Sequence, residues 1–300
     1  MSSIPAPTGR QIVLQAGTDR AIVTEVGARL RAFWVDGREV VVPFAEQEIP
    51  AAFEGAVMVP WPNRLAQGRY HWQGHEHQLD ITEPQRGTAL HGLECWNRWN
   101  ILQASATTAV LATQTVPLPG FPFPLRYTLT YTLTGNAQLT MTLTCVNHGS
   151  QPAPYGVGFH PWLSPGDGGL AQATLQCDAH TWVRSDHRKL PIDLAPIPTA
   201  LDFTDPAPLG QRCLDDAFIA QSGPDGRSWV RLTGADGRVA AVWMEQGLGC
   251  WQLCADATLP TPGLAAEPMS CYADAFNSGD RLVRLEPGHS HTARWGLLLG

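Results

Sequence analysis

Positive charge is scarce in this sequence and never clustered, and long apolar runs are missing. Charged residues make up only 16% of the 300, the net charge is −7, and no run of Lys or Arg occurs. The electrostatic footprint needed for nucleic acid or an anionic membrane surface is therefore absent. The expected partner is a small, neutral or locally recognised molecule. No apolar stretch approaches the ~20 residues of a membrane-spanning helix. The opening "MSSIPAPTGRQIVL" lacks a basic segment followed by an apolar core, so no secretion signal is expected. Seven cysteines, an odd number, are scattered without any C-x-x-C pair. That pattern points to reduced thiols in a cytoplasmic protein rather than to a disulfide framework.

Helical periodicity is also hard to find, whereas alternation of apolar and polar residues is everywhere. In "RYTLTYTLTGNAQLTMTLTCV" (126–146), Tyr127, Leu129, Tyr131 and Leu133 alternate with threonines. After Gly135-Asn136-Ala137-Gln138 the alternation resumes at Leu139, Met141 and Leu143. Period two on both sides of a Gly-Asn turn predicts an antiparallel hairpin with one buried face. Similar strands are readable in "RQIVLQAG", "AIVTEVGARLRAFWVDG", "GRYHWQGHEHQL", "WNILQASATTAVLATQTV", "SWVRLTGADGRVAAVWME" and "RLVRLEPGHSHTARWGLLL". Glycine (29) and proline (25) punctuate these runs as turns in a sheet protein do. Stretches such as "PFPL" and "LAPIPTALDFTDPAPLG" read as surface connections, and "HSH" at 289–291 as surface. No composition shift divides the chain. The expected architecture is all-β, a single large antiparallel β-sandwich over residues 1–300 with little helix.

Five stretches interrupt the alternation with polar residues that a plain sheet does not need: "PWPNRLAQGRY", "ALHGLECWNRW", "GVGFHPWL", "CLDDAFI" and "AAEPMSCYADAFN". Each mixes a titratable or charged residue with Trp, Phe, Gly or Pro. Sugar sites need that mixture, because the apolar C–H faces of a pyranose stack on aromatic rings while its hydroxyls take charged or amide partners. Taken singly each has a plain structural alternative. Arg64 pairs with some carboxylate, His91 before Gly92 is a turn residue, Asp215 and Asp216 form an acidic turn, and Glu267 ends a strand. In "HWQGHEH" only His75 and His77 share a strand face, and no Cys or carboxylate completes a metal set.

Jointly and in this order, the five stretches resemble the aldose 1-epimerases, or galactose mutarotases, from about residue 20 to the C-terminus. "PNRLAQGRY" is similar to their Asn-Arg segment, "LHG" to their His-Gly turn and "GFHPWL" to the segment with their catalytic histidine. "LDDAF" is similar to the Asp-containing stretch that follows, and "EPMSCYADAFN" to the segment with their catalytic glutamate. "MVPWPNRLAQGRY" with "EPQRGTALHGL" looks closest to a bacterial branch that includes sulfoquinovose mutarotases. The resemblance implies the galactose mutarotase type of β-sandwich, with Glu267 as base and protonated His160 as acid. It further implies that Asn63, Arg64, His91 and Asp215 bind the sugar, with Trp162 a wall of the pocket. No metal or other cofactor is implied, and the expected assembly is a monomer or homodimer.

The wording departs from that family in two places. Gly158 stands where an Asn is usual two residues before the histidine, with Pro161-Trp162 in place of Tyr-Phe after it. Ala273-Asp274-Ala275 replaces Pro-Asp-Ala. Two rival expectations come from other classes. A glycoside hydrolase pairs Asp215 with Glu267 as its two carboxylates and gives His160 no necessary role. A non-catalytic sugar-binding protein on the same fold need keep neither His160 nor Glu267.

Overall fold

A computed structural model describes residues 6–245, 247–255 and 262–300. Two large antiparallel sheets enclose one continuous apolar core. The 126–146 hairpin forms as its alternation predicts, with Leu125–Leu133 paired to Gln138–Asn147 so that Leu129 faces Leu143 and Leu133 faces Leu139. Tyr127, Leu129, Tyr131 and Leu133 are buried on its inner face, and the intervening threonines stay partly in water. The hairpin lies within a nine-stranded sheet beside Ser290–Leu299, Val239–Met244 and Ser228–Thr233.

The second sheet has twelve strands and carries the site. Its centre runs from Trp162–Leu163 through Leu264–Met269 and Cys250–Ala255 to Leu214–Ala220, with Gly158–Phe159 also pairing onto Leu264–Met269. Strand alternation sorts its residues. Leu264 and Ala266 join the core, as do Trp251, Leu253 and Ala255. Residues of the other parity, Glu267, Gln252, Cys254 and Asp215, therefore share the opposite face. A separate two-stranded ladder approaches that face, and Asn63, which precedes that ladder, meets Gln252 there. Val57–Met58 pairs with Gly158–Phe159, and Arg64–Ala66 pairs with Thr88–Leu90.

Two expectations need correction. The Pro-rich connections are not confined to the surface. In "FPFPL" the phenylalanines alternate with prolines, so Phe121 and Phe123 insert into the core, and Phe203 and Leu209 do the same in the later stretch. Within "HSH", His289 is exposed, but His291 already belongs to the last strand and packs edge-on against the buried Tyr155 at 5.5 Å.

Candidate active site

Glu267 lies mid-strand and is buried, directly opposite Gln252 in the ladder. Across from it, His160 follows the short strand Gly158–Phe159 and is fixed through its backbone. Its N–H donates to Ala56 O at 3.0 Å, and its carbonyl accepts from Gly55 N–H at 2.9 Å. This brings His160 Nε2 within 3.4 Å of Glu267 Oε1, although 107 positions separate the two residues in sequence. His160 Nδ1 and Glu267 Oε2 are both buried, and neither has a hydrogen-bond partner within the protein.

Gly158, two residues before His160, sits in a tightly packed place. A Cβ there would lie 2.7 Å from both Met58 Cε and Pro62 Cβ, and 3.0 Å from Met269 Cγ. The space that an Asn would occupy is filled by Pro62 and two methionines, so any side chain here must displace its neighbours.

A chain of polar contacts extends along the same face. Arg64 makes a two-pronged ion pair with the buried Glu83, Nε–Oε2 at 2.9 Å and Nη2–Oε1 at 3.1 Å, and its Nη1 donates to Asn63 Oδ1 at 3.3 Å. Asn63 Nδ2 donates to Gln252 Oε1 at 3.1 Å, and Gln252 Nε2 donates to Asp215 Oδ1 at 2.7 Å. Lys189, the chain's only lysine, donates to Asp215 O at 3.0 Å and sits 3.6 Å from its Oδ2. Asn63 and His91 both adopt left-handed backbone, with φ of 56° and 60°. His91 N–H donates to Asn63 O at 2.9 Å, which locks the two turns together. His91 is thus both a turn residue and a wall of the site, its ring edge-on to His160 at 5.5 Å.

Trp162 is buried with its ring stacked on His160 at 5.8 Å, and its Nε1 donates to Ala52 O at 3.0 Å. It backs the imidazole and pins the loop that carries Phe53. Asp216, one residue along the strand from Asp215, points to the other face and accepts from Trp182 Nε1 at 3.0 Å. Period two alone separates these neighbouring carboxylates. The "HWQGHEH" histidines lie elsewhere, with His77 stacked on Tyr70 at 4.9 Å and His71 3.4 Å from Glu76. Among the described residues no group of three or more His, Cys, Asp or Glu is arranged to hold a metal.

Burial sets the protonation of the pair. Loss of water drives the His160 imidazole down to about 3, with the charges of Arg29 and Arg64 acting in the same direction. The same loss of water, together with the charge of Asp215, raises the Glu267 carboxyl well above its ordinary value, against the pull of Arg64. With only protein groups around them, burial favours the neutral imidazole and the protonated carboxyl. His91 is likewise held neutral by burial and by the nearby His160 and Arg64. A donor and an acceptor, both shielded from water, face one another beside an array of amide, guanidinium and carboxylate groups. Such an array can move two protons on one small polar molecule.

Gln252, Glu83, Lys189 and Phe53 belong to this arrangement but were not singled out from the sequence. Gln252 had a usable signal, because "CWQLCA" alternates and its even positions share a face with Glu267. Glu83 had none, since nothing local marks it as the partner of a residue 19 positions earlier.

The aldose 1-epimerase family profile matches residues 10–297. The uncharacterized Escherichia coli (strain K12) protein YihR is 33% identical over 285 residues, covering 95% of this chain and 91% of that protein. A crystal structure of a putative aldose 1-epimerase from Escherichia coli K12 superposes with a TM-score of 0.81 at 25% identity, over 97% of this chain and 99% of the other. The fold also matches a GalM/aldose epimerase homologue from C. elegans, with a TM-score of 0.84 at 17% identity over 97% and 98% of the two chains.

Proposed function

The chain belongs to the aldose 1-epimerase family of sugar isomerases, and from that premise we propose that it interconverts the α and β anomers of a free aldose, with His160 and Glu267 as the proton-transfer pair. The observation that carries this reading is the 3.4 Å approach of two buried titratable groups, each presenting an unpartnered polar atom.

Mutarotation needs the C1–O5 bond to break. Glu267 takes the proton of the C1 hydroxyl while His160 delivers one to O5, giving the open-chain aldehyde. Rotation about C1–C2 presents the other face of the carbonyl, and the same two transfers in reverse close the ring. Atoms and charge balance without a covalent enzyme intermediate. Each positioned proton-transfer group contributes on the order of 10²–10⁴-fold. Asn63, Arg64, His91, Gln252 and Asp215 orient the hydroxyls, and Trp162 holds the imidazole from behind.

The partners of the two carboxylates favour this over a two-carboxylate glycoside hydrolase. Asp215 is engaged by Gln252 and Lys189, whereas Glu267 faces an imidazole. The identity of the aldose is tested with a panel. Exchange NMR on freshly dissolved α-anomers of glucose, galactose and sulfoquinovose, without added metal or cofactor, should show at least one equilibrating well above the buffer rate. Equilibration at the buffer rate across a broad aldose panel sinks the proposal.

A further inference from the structure

Arg29 carries a buried charge that the proposed chemistry leaves unused. It lies just before strand Leu30–Val35 and is completely buried. Gly27 and Ala28, left-handed with φ of 71° and 46°, turn the chain into it. The backbone there is fixed. Arg29 N–H donates to Thr24 Oγ1 at 3.2 Å, Thr24 N–H to Arg29 O at 3.0 Å, and Tyr131 OH to Ala28 O at 2.6 Å. Burial lowers the guanidinium to about 10, against the opposing effect of Cys95, Glu54 and Tyr131, so the charge persists at pH 7. Trp96 covers it, with the guanidinium carbon 4.3 Å from the ring centre, and Nε has no hydrogen-bond partner. Burying a charge in this way is costly, and an apolar side chain of similar volume is often no less stable. Stability alone therefore gives little reason for an arginine here.

What the guanidinium does hold is two peptide carbonyls on separate segments. Nη1 donates to Glu54 O at 3.2 Å and Nη2 to Cys95 O at 3.0 Å. The Glu54 carbonyl shares its peptide group with Gly55 N–H, which donates to His160 O at 2.9 Å, and Ala56 O accepts His160 N–H at 3.0 Å. A charge at one end of a peptide group polarises it and strengthens the donor at the other end. Leu30 N–H, next in the chain after Arg29, donates to Gly55 O at 3.2 Å and ties the same loop down again. On the other side, Cys95 follows His91 in a segment whose Leu93 and Glu94 N–H groups both donate to Val59 O, at 2.8 and 3.3 Å. One fork thus joins the support of His160 to the support of His91. Phe53 rides on the first loop, with its ring 6.4 Å from that of His160 and 4.6 Å from that of His91.

We propose that Arg29 is a positioning residue for the acid–base pair: its fork ties the 53–56 loop to the 91–95 segment and so sets His160 at its distance from Glu267. It acts through the two backbones and not on the sugar. This inference rests on the mutarotase reading, and its test separates the two.

Exchange NMR on an aldose that wild type accepts compares Arg29→Lys and Arg29→Met, at a temperature where circular dichroism shows each variant folded. Lysine keeps the charge but cannot fork to both carbonyls, and methionine keeps neither property. The hydroxyl-orienting groups Asn63, Arg64, Gln252 and Asp215 stand on other elements, so the loss should fall on kcat with KM little changed. A fall of about 10–10² in kcat is expected for Arg29→Met, and Arg29→Lys should recover part of it. Folded variants with a lower melting temperature but wild-type kcat, or a loss confined to KM, overturn the proposal while the mutarotase reading stands. In wild type, NMR of labelled arginine should show separate, slowly exchanging Nη protons for Arg29, as a fork bonded on both sides does. A single averaged, rapidly exchanging signal overturns the clamp even if neither variant folds. If wild type turns over no aldose of the panel, the mutarotase reading fails and the positioning role falls with it.

Discussion

Replacing Gly158 by alanine should slow the enzyme as well as destabilise it, because the contacts made by the new methyl lie on the segment that leads into Asn63 and Arg64, the proposed sugar-orienting groups. The added carbon would sit 2.7 Å from Met58 Cε and Pro62 Cβ, where carbon atoms prefer about 3.5–4.0 Å. Met58 can swing its terminal methyl aside. Pro62 cannot, since its Cβ belongs to a closed ring and the next residue, Asn63, is held at a φ of 56°. Overpacking of this kind costs about 1–3 kcal/mol. At about 2–4 °C per kcal/mol for large domains, the melting temperature should fall by roughly 2–12 °C. Relief through Pro62 also displaces Asn63, which donates to Gln252, and Arg64, which follows it. A misplacement near 1 Å can lower turnover by about 10²-fold, so Gly158→Ala should lose on the order of 10–10² in kcat while remaining folded. Calorimetry and exchange NMR on the same sample measure both. An unchanged melting temperature together with unchanged kcat would refute the reasoning.

Glu267→Gln and His160→Asn should each lower anomer equilibration by at least ~10², and a fully active Glu267→Gln would remove Glu267 from the role of base. Glu83→Gln breaks a buried ion pair while keeping its shape. A loss of about 3 kcal/mol in denaturant midpoint analysis is expected, with a higher KM as Arg64 loses its anchor, and an unchanged KM would argue that Arg64 does not need Glu83. Acid should destabilise the wild type more than His160→Asn. The folded imidazole is held near 3 against an ordinary 6.5, so its contribution is complete above pH 6.5 and is lost as the pH falls toward 3. The span corresponds to on the order of 5 kcal/mol, and parallel pH–stability curves for the two proteins would count against a neutral, buried His160.

Alternation made the sheets legible, and ordered motifs made the site legible, for different reasons. Period two reports which face of a strand is buried, so the 126–146 hairpin and its inner face could be read from the sequence. It also reports what faces away from the core, which is why Asp215 and not Asp216 turns toward Glu267. What alternation cannot report is which strands become neighbours. Nothing near Arg64 in sequence announces Glu83, and nothing near Trp96 announces the Arg29 guanidinium 4.3 Å from its ring centre. Those partners are set by loops crossing the sheet, and their register follows from packing at a distance. The same limit applies to Gly158. Its sequence signal is the lack of a side chain, but the reason, Pro62 and two methionines filling the place, appears only when three separate segments are brought together.

The protonation of the buried pair bears directly on how ring opening is driven. Before reaction, the proposed roles require a carboxylate at Glu267 and an imidazolium at His160, the two charged forms that burial disfavours most strongly. When the C1 proton has moved to Glu267 and the His160 proton has moved to O5, the pair has become carboxylic acid and neutral imidazole. That is the state which the desolvated surroundings hold with protein groups alone. Ring opening therefore discharges an unfavourable ion pair, and the gain is realised only as the protons move. That gain lowers the barrier only as far as sugar binding has already met the cost of the charged form. Hydroxyl donors on Glu267 Oε2 and the charge of Arg64 need only stabilise the carboxylate enough to populate the charged form when sugar is bound. The same dry walls that favour the neutral pair then favour the open-chain aldehyde, from which either anomer can close.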